Sequence, residues 1–164
     1  AAREAPLPRL PEAARALVGV WWHVSSSGYG PFLAECVGLS WAITKIGERI
    51  HPTPVFHVRE GQLVCETVCL GAEPVLETFV AGRSIIDEPN LGVRYEVEAW
   101  WEAEGAVFAA SRRNADVNGG RPIVKRVYIE QATGELHIDT SWGGTVDFKA
   151  RFSRQQGQAA AGSS

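Results

Sequence analysis

Histidine and cysteine are the side chains best suited to metal binding or nucleophilic chemistry, and here they are few and poorly spaced for either. His51 and His57 stand six apart across two prolines, while His23 and His137 are isolated. No His-x-x-x-His, Cys-x-x-Cys or carboxylate-rich spacing occurs, so no metal site is expected. The chain has no Gly-x-Ser-x-Gly elbow, no Walker loop and no Rossmann glycine pattern. Ser25-Ser26-Ser27 before Gly28 reads as turn chemistry. The stretch Asn114 to Gly120 reads as a polar hairpin loop, because it lacks the closing Glu of a calcium loop. Charge on strands is what remains. Lys125 and Arg126 are adjacent, and strand alternation sends them to opposite faces. Lys149 and Arg151 are two apart and share a face.

The whole chain bounds what such cations can serve. It has 164 residues, 45% hydrophobic and 21% charged, which suits one globular domain. Sixteen basic against nineteen acidic residues give a net charge of −3. That balance excludes a general nucleic-acid surface, which must offset phosphate charge. No apolar run approaches the roughly 20 residues of a membrane-spanning helix. Cys36, Cys65 and Cys69 are an odd number in a chain of this length. They do not read as a disulfide framework, and a reducing compartment is the default. Cys65 and Cys69 would share a strand face but lie about 13 Å apart, too far to bond. Methionine is absent even at position 1, so the sequence is expected to begin inside a longer precursor or after a removed leader.

The elements that must position the cations are mostly strands. Apolar and β-branched runs lie at Leu17 to Ser26, Val55 to Val58, Leu63 to Leu70 and Val75 to Ala81. Further runs lie at Val93 to Trp101, Ala106 to Ser111, Ile123 to Glu130, Leu136 to Trp142 and Thr145 to Phe152. Gly-centred turns separate them at the spacing of an all-β sandwich or barrel. Tyr29 to Ile50 breaks the pattern, with Phe32, Leu33, Cys36, Leu39, Ile43 and Ile46 at helical spacing. Two short helices are expected there, separated near Gly38, with Ser40 as N-cap of the second. His51-Pro52 should stop the second helix. Residues 1–16 hold three prolines and are expected as a flexible arm, apart from a helical turn or two begun by Pro11; residues 155–164 are expected as a disordered tail.

This layout resembles the intracellular fatty-acid-binding protein family, cellular retinoid-binding proteins included. The match opens at Gly19-Val-Trp21, with Tyr29 and Phe32-Leu33 after it. It continues at Lys45-Ile46-Gly47 and Ile50-His51-Pro52-Thr53, at Phe79-Val-Ala-Gly82 with Asp87-Glu88, and at Ser141-Trp142-Gly143-Gly144. It covers residues 17–154. The resemblance implies an all-β fold of the calycin type: a ten-stranded antiparallel up-and-down β-barrel, a flattened clam, capped by a helix-turn-helix after the first strand. It also implies a non-enzymatic cytoplasmic carrier, likewise monomeric, that binds a fatty acid or other hydrophobic carboxylate ligand in its cavity. No cofactor and no nucleic acid would be involved, and transient membrane contact through the helical lid is expected. A haem- or other cofactor-binding barrel and a lipocalin-like secreted carrier are the alternatives.

A buried carboxylate must be met by a cation, and Arg does this best through its two-pronged fork. By the resemblance, Arg126 matches the family's eighth-strand arginine, and Val124 and Tyr128 then share its inward face. Lys125 is the alternative if the register differs by one. The family's Arg-x-Tyr pair on the last strand lands on Lys149 and Arg151. Three inward cations exceed what one carboxylate needs. The competing reading puts Lys149 and Arg151 on a solvated face, with Val146, Phe148, Ala150 and Phe152 inward. The remaining ligand contacts are expected from Phe32, Phe79 and Trp142, with Leu33, Phe56, Phe108 and Trp100 or Trp101 as further cavity residues.

Overall fold

The computed structural model describes residues 6–143 and 147–156. The chain runs through β1 (Gly19–Val20), β2 (Trp22–Ser27), β3 (Thr53–Arg59), β4 (Gln62–Val68), β5 (Val75–Phe79) and β6 (Gly82–Glu88). It continues through β7 (Val93–Glu102), β8 (Val107–Arg113), β9 (Ile123–Ile129), β10 (Leu136–Ser141) and β11 (Phe148–Ser153). All pairings are antiparallel. One sheet has the order β1-β3-β4-β5 and the other the order β2-β11-β10-β9-β8-β7-β6.

The first strand read from sequence is present as two segments, β1 and β2, one in each sheet. It therefore hinges the clam. Trp21 sits at the break, fully buried. Its indole N–H donates to the Leu17 carbonyl at 2.8 Å and its backbone N–H to Pro54 at 3.0 Å. The Arg154 guanidinium lies 4.1 Å from the Trp21 ring centroid and donates to the carbonyls of Val18 and Ala16. On the opposite side no ladder among the described residues joins β5 to β6, so the clam has an open seam there. Strand β6 is absent from the strands read from sequence. Its segment, Gly-Arg-Ser-Ile-Ile-Asp-Glu, has no apolar alternation because it is a seam edge, largely exposed.

Two short helices follow β2. The first is a turn, α1 (Tyr29–Pro31), widened into a π-type helix over Phe32–Val37; the second is α2 (Trp41–Gly47). Gly38 ends the first at φ 85°, the left-handed conformation a helix C-terminus favours. Ser40 Oγ accepts from the Ile43 N–H, the expected N-cap. Leu33 and Cys36 turn into the core, and Phe32 stacks against Phe148 and packs against Trp142.

The core is an aromatic stack between the sheets. Phe79 lies parallel to Phe108 at 4.0 Å, and Phe56 and Trp101 meet them edge-on. Residues 10–17 close one end of it. Leu10, Ala14 and Leu17 recur on one side of the turn over Glu12–Leu17, and all three are buried. Pro11 occupies the space where a side chain at Gly105 would stand, and the Pro8 carbonyl accepts from Gln62. The segment expected as a flexible arm thus places two of its residues, Leu10 and Ala14, in the core. Residues 157–164 of the expected tail lie outside the described residues, as do Gly144, Thr145 and Val146.

Candidate functional site

Alternation along the strands selects which charges turn inward. On β5, Val75, Glu77 and Phe79 share a face, and Phe79 is in the core. On β8, Phe108, Ala110 and Arg112 share a face with Phe108 inward. On β9, Ile123, Lys125, Val127 and Ile129 share a face, with Ile123 and Val127 buried. Glu77 belongs to the four-stranded sheet, Arg112 and Lys125 to the seven-stranded one. They meet across the interior.

The meeting is close. Arg112 Nη2 donates to Glu77 Oε2 at 2.6 Å and Lys125 Nζ to the same oxygen at 2.5 Å. The Lys125 ammonium also lies 5.4 Å from the Phe79 ring centroid. Glu77 is 8% exposed, Lys125 16% and Arg112 22%. Burial alone would push the Glu77 carboxyl up, but the two cations beside it outweigh burial and hold it at about 2. Lys125 is pulled down from the ordinary lysine value, first by burial and then by neighbouring Arg112. Two polar atoms of the cluster are buried with no partner in the protein: Glu77 Oε1 and Arg112 Nε. Two cations against one carboxylate leave one positive charge uncompensated. Cys65, opposite Glu77 on β4, is pushed up to about 11 by burial and stays a thiol. A cleft of about 430 Å³ along the open seam is lined by Leu76, Thr78, Ser84, Ile86 and Pro89, among others, with Glu77 the one residue of the cluster in its lining.

The cations expected from sequence stand elsewhere. Arg126 is outward on β9, bound to Glu102 at 2.7 Å and 44% exposed; Lys125 is the inward member of the pair. The reason is hydrophobic. Three aliphatics, Ile123, Val127 and Ile129, share the Lys125 face, and burying them fixes the register. Tyr128 faces outward with Arg126 and donates to Asp139 Oδ2 at 2.9 Å. Lys149 is exposed, and Arg151 grips Glu135 with two nitrogens on the outer face. On β11, Ala150 and Phe152 are buried, as the periodicity reading has it, and Ser153 is buried beside them. Phe32 and Trp142 belong to the aromatic packing under the lid, away from the ion cluster. Phe79 alone of the expected ligand residues touches it, through Lys125. Glu77 and Arg112 were missed. The signal was present: counting by twos from Phe79 and from Phe108 puts both on the inner face.

The lid presents the opposite character. Trp41, Ile43 and Ile46 of α2 are 75%, 55% and 63% exposed, and Leu70 in the turn after β4 is 96% exposed. Lys45 and Arg49 flank them, together with Ile50. Among the described residues no helix is long and apolar enough to cross a membrane.

No family model and no curated protein sequence matches the chain. Solved structures do. The ligand-free lipid binding protein 8 of Caenorhabditis elegans superposes with a TM-score of 0.72 at 15% identity, over 86% of this chain and 96% of that one. A Schistosoma mansoni fatty acid binding protein in complex with arachidonic acid gives 0.71 at 14%, over 87% and 98%. Human cRBP IV gives 0.66 at 18%, over 85% and 98%. The order of strands, the helix pair after the first of them and these superpositions together show that the chain has the β-clam fold of the fatty-acid-binding and cellular retinoid-binding proteins.

Proposed function

We propose that the chain is a non-enzymatic carrier, acting as a cytoplasmic monomer, whose barrel takes a hydrophobic ligand with a single carboxylate, a long-chain fatty acid or a close analogue. The charge balance of the interior carries this reading. Arg112 and Lys125 share one carboxylate, leaving one positive charge and an unused guanidinium N–H. A buried charge without a partner is costly, and one ligand carboxylate would neutralise it. The likeness in fold to proteins described as binding lipids supports the same reading. The seam cleft of 430 Å³ lies within the roughly 300–1,000 Å³ of small-molecule sites. Burial of the chain would supply affinity at about 0.8 kcal/mol per methylene, and the cluster would fix the head. The exposed apolar side chains of α2, flanked by Lys45 and Arg49, support transient membrane contact by the lid.

Binding of hexadecanoate and its methyl ester to Arg112→Gln tests the reading. The acid should weaken by at least about tenfold and the ester by less than about twofold. Equal losses would place the carboxylate elsewhere.

A further inference from the structure

The unused polar atoms of the cluster say more about the head group than its charge. Arg112 Nε is a donor without an acceptor, and Glu77 Oε1 is an acceptor without a donor. Both are buried. They also lie close together, because Nη2 of the same guanidinium is 2.6 Å from Oε2 of the same carboxylate. A plain carboxylate satisfies only the first. Its second oxygen would face Glu77 Oε1, an anionic acceptor held ionised by two cations, with nothing to share.

Three head groups would leave part of the cluster unmet. An alcohol or amide offers a donor and an acceptor but leaves the positive charge uncompensated. A protonated acid fails in the same way, and two neighbouring cations oppose its protonation. A carboxylate with a hydrogen-bond donor on the adjacent carbon meets all three demands. It supplies the charge, accepts from Arg112 Nε, and donates to Glu77 Oε1.

Resting on the carrier reading above, we propose that the barrel selects hydrophobic carboxylates bearing a donor beside the carboxylate, with Glu77 as the residue that reads the donor. Two lipid types present this chemistry: 2-hydroxy fatty acids through an O–H, and N-acyl amino acids through an amide N–H. The site is chiral, so a 2-hydroxy acid should bind with a preferred enantiomer.

The wild-type chain decides the matter through four probes: hexadecanoate, (R)- and (S)-2-hydroxyhexadecanoate, and N-palmitoylglycine. One hydroxy enantiomer, the acylglycine, or both should bind about tenfold tighter than hexadecanoate, since a charge-assisted hydrogen bond replaces an unmet acceptor. Which of them does so identifies the donor. Equal affinity of all four probes would overturn the proposal while leaving the carrier reading intact, because water would then be serving Oε1. Failure of every probe to bind would overturn the carrier reading itself. In Glu77→Gln, which keeps the shape but removes the charge, the preference over hexadecanoate should shrink several-fold. A preference unchanged in that variant would overturn the role of Glu77.

Discussion

Glu77 is the residue on which the interior turns. A lone buried carboxylate is very unfavourable, and so are two buried cations; the three groups are tolerable only together. Removing the carboxylate should therefore cost more than its own hydrogen bonds. Glu77→Gln is expected to lose about 3–5 kcal/mol of stability, measured by urea denaturation at pH 7. The same residue sets an acid limit. Its carboxyl titrates at about 2 in the folded chain against an ordinary 4.5. Between those values the unfolded chain holds more protons. The stabilisation is complete above pH 4.5 and is lost as pH falls toward 2. The melting temperature should fall more steeply over that window in the wild type than in Glu77→Gln. Parallel slopes would mean that Glu77 is not held ionised by Arg112 and Lys125. His23 works in the same direction at higher pH. It stacks on His51 at 3.9 Å, and burial, with His51 second, lowers its pKa from 6.5. Its contribution is present above pH 6.5 and lost as pH falls through its lowered value.

At the scale of elements, α2 is the least committed part of the fold. Thr44 is its one buried residue, whereas Trp41, Ile43 and Ile46 face outward. Such a helix gains by laying its apolar side into a lipid surface, and Lys45 and Arg49 would favour an anionic one. Trp41→Ser with Ile46→Ser should lower association with anionic vesicles several-fold, measured by co-sedimentation, and leave the denaturation midpoint nearly unchanged. A large loss of stability would show that this face packs within the protein. Strands β9 and β11 teach a different lesson. In both, the face rich in aliphatic or aromatic residues is buried, and Arg126 and Arg151 on the other face pair at the surface with Glu102 and Glu135. Alternation of hydrophobic residues therefore predicted register better on these strands than matching cations by family resemblance did.

At the scale of the whole molecule, two sheets are joined in three places. The divided first strand hinges them at Trp21, the Phe56, Phe79 and Phe108 rings pack against one another between the sheets, and the ion cluster ties β5 to β8 and β9. Residues 10–17 close the Trp21 end, with Leu17 buried and its carbonyl holding the Trp21 indole. Leu17→Ala should cost about 2–5 kcal/mol, visible as a lowered urea midpoint. A loss below about 0.5 kcal/mol would show that this segment is not part of the core. Much of this was legible in the sequence. Glycine spacing and apolar alternation marked most of the strands, and Gly38 and Ser40 marked the helix pair, because those signals act within a few residues of where they are written. Strand β6 was not legible, since an exposed seam edge carries little apolar pattern. The ion cluster was not legible either, although the inward parity of Glu77 and Arg112 could be counted from Phe79 and Phe108. Those two residues stand 35 apart in the chain, and only closure of the two sheets brings them to 2.6 Å. By itself the sequence determined the strands, the turns and the faces that hydrophobic burial selects. Tertiary structure decided which charges meet, because a side chain's partner across a barrel depends on how two sheets close, and no local pattern encodes that distance.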